Sequence, residues 1–169
     1  MTTDIEKLEQ MVHYIISCTA NIPSVGKTVL WKLMYFSDFD FYEIHEKMLT
    51  GEQYRKIDHG PAPTHFDNIK EKLMLEKKIR HVKMFYHGKP QEKYISLKNP
   101  DTSLLSKEEI QAIERTIQRY VGLNATQISE LSHLDMPWKA TKEKDIIDYN
   151  LVFYRDNLTS VRVYSDDDD

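Results

Sequence analysis

The segment from about Thr28 to Lys47 constrains the fold more than any other part of the chain. Leu30, Leu33, Met34, Phe41, Ile44 and Met48 make one apolar stripe at helical spacing, and Trp31, Tyr35 and Tyr42 make a second. A helix that is apolar on two sides must be covered on two sides, so it belongs at the centre of its domain. The remaining segments are then what covers it. A length of 169 residues supplies one domain with a real core, and 40% hydrophobic with 30% charged residues is an ordinary globular composition.

The covering elements announce themselves by period and by caps. Ile5, Leu8, Val12, Ile15 and Ile16 recur at helical spacing, with Thr3 as N-cap and Pro23 closing the segment. Glu52 to Ile57 reads as a short extended stretch, and His59-Gly60-Pro61-Ala62-Pro63 as irregular, because its prolines lack donors. Thr64 caps a helix carrying Phe66, Ile69 and Leu73. Val82 to Tyr86 and Lys93 to Leu97 flank a turn at Gly88-Lys89-Pro90, which predicts a hairpin. Ser106-Lys107-Glu108-Glu109 is a capping box ahead of Ile110, Ile113, Ile117 and Val121. Asn124 caps a short helix with Ile128 and Leu131, and Asp148 a last one with Leu151, Val152 and Tyr154. The expected fold is α+β and mainly α-helical: a single compact domain of about six helices with a β-hairpin insertion. It spans residues 1–158, with an acidic C-terminal tail at 159–169.

Charge and targeting signals exclude some classes. No apolar run approaches the eighteen or so residues that span a bilayer, and the N-terminus has no basic n-region or apolar h-region. A cytoplasmic protein is the expectation. Cys18 is the only cysteine, which excludes an internal disulfide, and its place between apolar positions of the first helix predicts a buried thiol. From Lys70 to Lys98 nine Lys/Arg face three Glu, an excess of +6 within a chain whose net charge is −4. The last four residues, Asp166 to Asp169, are all acidic. Such asymmetry bears on partners; its plainest reading is a solvated surface and a frayed tail.

Three sets of residues invite a chemical reading. Asp38 projects from the aromatic stripe, where a carboxylate is costly unless it is hydrogen-bonded, here to buried donors such as amides of the proline-rich loop. Asp38, His59 and His133 together could make a metal or acid/base set and a metal-dependent hydrolase, but they lack the spacing of a helical ligand motif. The preferred role of His133 is a hydrogen bond closing the loop before Pro137-Trp138, with Trp138 packed on the central helix. Val25-Gly26-Lys27-Thr28 matches the end of a phosphate-binding loop, yet Asn21 stands where the first glycine belongs, so it is read as a helix start. A helix followed by a basic hairpin also fits a winged-helix DNA-binding regulator. The helix concerned, around Asp67 to Lys72, has alternating charges and no Arg, a poor recognition face.

Three motifs in order add a resemblance. Lys32-Leu33-Met34-Tyr35-Phe36-Ser37-Asp38 comes first; Gly51 to Tyr54, running into His59 to Pro63, comes second; Leu131-Ser132-His133 with Pro137-Trp138 comes third. Together they resemble the Panacea domain, the SocA-like antitoxin domain of bacterial and phage toxin–antitoxin pairs. The resemblance runs from about Leu8 to about Arg155, with Met34 in place of a second Leu and no counterpart for the tail after Asn157. It implies a protein without catalytic residues or cofactor that neutralises a co-encoded toxin by direct binding. One branch of the family acts as a proteolytic adaptor, delivering its toxin to a AAA+ protease; related domains also occur in prophage genes. The motif residues implied as structural or partner-binding are Lys32, Tyr35, Asp38, Tyr54, His59, Gly60, Pro61, His133, Pro137 and Trp138. Tyr42, Tyr54, Tyr86 and Tyr94 are further candidates for partner anchors if exposed. The acidic charge balance argues against nucleic acid, and the missing apolar run against a membrane.

Overall fold

The computed structural model describes residues 2–165. The elements follow in the order α1 (Ile5–Thr19), α2 (Lys27–His45), β1 (Tyr54–Ile57), β2 (Gly60–Pro63), α3 (Phe66–Leu75), β3 (Ile79–Tyr86), β4 (Lys89–Ser96), α4 (Lys107–Tyr120), α5 (Ala125–His133), α6 (Met136–Lys139) and a closing 3-10 helix (Tyr149–Tyr154). The architecture is mainly helical α+β with two separate two-stranded antiparallel sheets, as the sequence predicts, save that it has two hairpins rather than one.

Helix α2 is the central element. It packs against α1, α4, α5, β2, β4 and the 3-10 helix. Both of its apolar stripes are used: Leu30, Leu33, Met34 and Phe41 of the first and Tyr35 of the second are buried, with Trp31 and Tyr42 partly buried against the core and Phe36 and Phe39 buried as well. Phe36 stacks on Tyr120 of α4 at 4.3 Å between ring centroids, while Phe39 stacks on Tyr149 of the 3-10 helix at 4.1 Å. Phe36 and Phe39, which lie outside the two stripes, thus meet aromatic partners from α4 and from the 3-10 helix. The capping boxes at Ser106 and Asn124 form with both reciprocal bonds, so α4 and α5 begin where their sequences direct.

Several local expectations are corrected. The N-cap of α1 is Asp4, whose side chain accepts from the Lys7 amide; Thr3 donates instead to the Gly51 carbonyl. Helix α3 starts after His65, and Thr64 reaches back to the Gln53 carbonyl. Cys18 is exposed, because the buried face of α1 passes through Ile15 and Thr19.

The proline tract, expected to be irregular, forms strand β2 against β1 with Lys56 opposite Pro61 and Tyr54 opposite Pro63. The outward-facing groups of β1 belong to Tyr54 and Lys56, since they bond residues 144–147 on the far side. Pro61 and Pro63 therefore occupy pairs that exchange no hydrogen bond, where a missing N–H costs the ladder nothing.

The second hairpin turns one residue earlier than expected, at His87-Gly88, with both residues at positive φ (49° and 76°). That is the two-residue turn whose twist matches its strands. From the segment read as a tail, residues 159–164 lie against α2 rather than apart from it. Thr159 is buried, and Ser160 Oγ, the Val161 amide and Tyr164 Oη all donate to the Glu43 carboxylate. Asp166 to Asp169 lie outside the described residues.

Candidate functional site

Lys32, Tyr35 and Asp38 lie on α2, and Tyr54, Gly60 and Pro61 come to them on the β1–β2 hairpin, beside α5. Asp38 is fully buried, and its carboxylate accepts from the Thr50 amide and hydroxyl (2.9 and 2.8 Å) and from Tyr54 Oη (2.6 Å). The donors belong to Thr50 and Tyr54, not to the proline-rich loop. Burial pushes the Asp38 carboxyl up to about 7, against the pull of these donors. Tyr54 in turn packs edge-on against Tyr35 and Phe39. Here the carboxylate organises the chain between Thr50 and Tyr54 around the central helix.

Tyr35 leads to a second network that the sequence reading did not include. Its hydroxyl donates to Asp135 Oδ2 at 2.6 Å. Arg155 donates to both oxygens of the same carboxylate, through Nε at 2.8 Å and Nη2 at 3.0 Å. Its Nη1 reaches Asp40 at 2.8 Å and Glu43 at 3.0 Å. One guanidinium thus holds three buried carboxylates, joining α2 to the α5–α6 junction and to the residue after the 3-10 helix. Burial raises the Asp40 carboxyl to about 6 even with Arg155 beside it. At Glu43 burial works the same way, but the donors of Ser160, Val161 and Arg155 prevail and hold its carboxyl below the usual range. Two acids, Asp40 and Glu43, on a helix apolar on both sides were the sequence signal that a buried cation had to come from elsewhere.

Lys32 and Gly60 form the third part of this group. Lys32 is 1% exposed, and among the described residues its ammonium has neither a hydrogen bond nor an ion pair. Burial lowers its pKa to about 8. Gly60, at φ +114°, lies flat against its stem: a Cβ there would sit 2.5 Å from Lys32 Cε and 2.6 Å from Ser132 Oγ. Pro61 and Pro137 are buried beside it in β2 and α6.

His133 and Trp138 stack on each other at 4.3 Å, and Lys56 Nζ lies 3.8 Å above the indole ring. In place of the hydrogen bond expected from His133 there is this stack; among the described residues its imidazole Nε2 and the indole Nε1 of Trp138 have no hydrogen-bond partner. Trp138 is partly buried against the core and is held from α5 by His133 and from β1 by Lys56.

His59 stands exposed at the β1–β2 turn, Asp38 is sealed in the core, and His133 is stacked. The three are not gathered into a site. Among the described residues no group of three or more His, Cys, Asp or Glu is placed to hold a metal ion.

A cleft of about 340 Å³ opens elsewhere, between the hairpin β3–β4 and the starts of α2 and α5, and no motif residue lines it. The Gly26-Lys27-Thr28 segment borders this cleft as the first turn of α2, and Lys27 pairs with Glu92 at 2.8 Å. Tyr54 and Tyr94 are buried and drop out as partner anchors, whereas Tyr42 and Tyr86 are half-exposed. On α3, Lys72 is tied to Glu9, leaving Asp67, Asn68 and Glu71 on the outer face. Among the described residues no helix is long and apolar enough to cross a membrane.

Taken together, a doubly covered helix, two short hairpins and a wall of motif residues spent on internal bonds define a small helical α+β domain with a rigid interior. Residues 30–139, well over half of the chain, match the family described as antitoxin SocA-like, Panacea domain. The chain belongs to that family. No curated protein and no solved structure gives a significant match.

Proposed function

We propose that this protein is the antitoxin of a bacterial or prophage toxin–antitoxin pair and that it neutralises a co-encoded toxin by binding it directly. Family membership over residues 30–139 is the observation that carries the reading. The disposition of the motif residues supports it. Tyr35, Asp38, Tyr54, Gly60 and Pro61 are committed to internal packing, so they maintain a scaffold. A neutraliser needs such a scaffold and an exposed complementary surface, and no bond chemistry. On this reading the protein is not an enzyme, carries no cofactor and works in the cytoplasm. The proteolytic-adaptor mode, with a AAA+ protease as second partner, is a variant of the same reading.

The test is growth rescue. The adjacent open reading frame is expressed alone and together with this protein. Toxicity alone, with rescue and co-purification, supports direct neutralisation. Rescue that vanishes in a host lacking the protease assigns the adaptor mode. A harmless neighbour removes the reading.

A further inference from the structure

The two hairpins of this chain treat their edges differently. The outer edge of β1 is closed: the Lys56 amide donates to the Asp145 carbonyl, its own carbonyl accepts from Lys144, and Tyr54 accepts from Ile147. β2 has Pro61 and Pro63 in place of outward donors and packs on α2 and α5. β4 is pinned to the α1–α2 loop, with Lys93 Nζ on the Ile22 and Val25 carbonyls and Gln91 on Pro23. Among the described residues this leaves the outer edge of β3, which is exposed from Lys83 to Phe85.

Its orientation follows from the turn. A two-residue turn at His87-Gly88 makes Tyr86 and Lys89 a hydrogen-bonded pair, so Met84, Val82 and Arg80 also bond inward to β4. Pro90 falls opposite Phe85 in a pair that needs no donor, and the Leu97 amide bonds the Lys78 carbonyl, both as this register requires. The backbone groups of His81, Lys83 and Phe85 therefore point outward. Among the described residues none of them has a hydrogen-bond partner.

An unpaired edge is a template for another strand. This one is flanked by exposed apolar side chains on both faces, Phe85 (76% exposed) and Met84 (46%). It also carries Arg80 and Lys83, exposed and without an ion pair among the described residues. The hairpin's one carboxylate, Glu92, is already held by Lys27. Pairing with a second copy about Lys83 would set like charges along one seam, which destabilises a ladder. A strand bearing carboxylates meets no such repulsion.

We propose that the outer edge of β3 receives an extended, carboxylate-bearing segment of the partner protein as a third strand. Main-chain bonds to His81, Lys83 and Phe85 hold it, Arg80 and Lys83 select its charge, and Met84 and Phe85 take its apolar side chains. The inference rests on the reading of this chain as a protein-binding neutraliser and names the surface that does the binding.

The probe is a nine-residue peptide alternating Glu with Val and Tyr, with a Lys-for-Glu peptide as its counterpart, titrated by fluorescence anisotropy against the full chain at low salt. The acidic peptide is expected to bind and the basic one not to bind. Lys83→Pro removes one outward N–H and leaves the inward ladder whole, so it should weaken binding at least tenfold while the thermal melt is unchanged. Should Lys83→Pro disturb the fold, Lys83→Glu reverses the charge with the backbone intact and should weaken the acidic peptide by a similar factor. Equal binding of both peptides, or insensitivity to both substitutions, overturns the proposal. So does Lys83-dependent binding of a single-stranded oligonucleotide without the acidic peptide, or a Lys83-dependent dimer in light scattering. A toxin that co-purifies equally well with wild type, Lys83→Pro and Lys83→Glu refutes the edge and leaves neutralisation standing. Lys83-dependent peptide binding beside a harmless neighbouring gene does the reverse.

Discussion

Replacing Arg155 with Met isolates what the buried charge network contributes. The side chain is fully buried, and it donates to Asp135 through two nitrogens and to Asp40 and Glu43 through the third. Met keeps the length and the packing of the stem but leaves three buried carboxylates with no cation. Breaking a buried ion pair from one side costs about 3–5 kcal/mol. A domain of this kind has about 5–15 kcal/mol in total, so the variant forfeits roughly a fifth or more of its stability. In a thermal melt the expected drop is roughly 6–20 °C, at about 2–4 °C per kcal/mol for this size. Urea denaturation followed by circular dichroism gives the same quantity at fixed temperature.

The pH dependence separates charge from packing. Asp40 sits at about 6 with the guanidinium in place and moves further up without it. A carboxyl whose folded pKa is raised contributes stability below its ordinary value and loses it as pH rises through the folded value. The deficit of Arg155→Met should therefore be largest above pH 7 and shrink as the pH falls toward 5. Arg155→Lys keeps one charge without the fork geometry and should lose less than Met does. A loss below about 1 kcal/mol, small against the 3–5 expected for a broken buried pair, would refute the network as a determinant of the fold. A deficit that does not change with pH would refute its electrostatic origin.

Three other substitutions test the wall of motif residues, and the peptide titration of β3 tests the surface. Tyr54→Phe removes one of the donors to Asp38, costing about 1–3 kcal/mol. Because Asp38 already sits at about 7 and rises further, the loss should be greatest at pH 8 and smaller at pH 5, read from urea curves at both. Gly60→Ala forces a Cβ against Lys32 and Ser132 at φ +114° and should cost about 1–3 kcal/mol; adding Lys32→Ala relieves the contact with Lys32 but neither that with Ser132 nor the backbone, so most of the loss should persist. Lys32→Met replaces a buried ammonium that has no acceptor and should stabilise by about 1–3 kcal/mol at pH 7. Since the folded pKa of Lys32 is lowered to about 8, that gain should fade as pH rises from 8 toward 10.5. A loss instead of a gain would show that the ammonium is bonded in the fold.

Much of the fold was legible because its signals are local. The period of α2 and the caps at Ser106 and Asn124 act over a few residues, so the sequence displays them directly. Strand β2 was hidden because a proline tract argues against a strand, and only the register shows that Pro61 and Pro63 fall at pairs needing no donor. The partners of Asp38 were misassigned for a similar reason: Thr50 and Tyr54 lie 12 and 16 residues away, and nothing in their spacing marks them as donors. Arg155 lies 115 residues from Asp40. Its pairing is a fact of packing alone, although Asp40 and Glu43 on the central helix had already posed the question it answers.

The location of the motifs bears on where partner recognition can lie. Each of Tyr35, Asp38, Tyr54 and Gly60 is constrained from within: Tyr35 bonds Asp135 at 2.6 Å, Asp38 bonds Thr50 and Tyr54 at 2.9 and 2.6 Å, and Gly60 has no room for a side chain beside Lys32 and Ser132. Substitution at any of them is felt by the core, so these positions report the scaffold and carry little information about what it binds. The outer residues of β3 are free of that constraint: Lys83 and Phe85 touch no network, and their exchange should leave the melt unchanged. A scaffold fixed by its interior, with an exposed open edge, can change partner without refolding. On this argument the partner is read from the charge and apolar pattern of residues 80–85, and a related chain with acidic residues there should prefer a basic strand. Swapping residues 80–85 between two such chains should then exchange their peptide preferences while each keeps its own melting temperature; preferences that stay with the body of the protein would place recognition elsewhere.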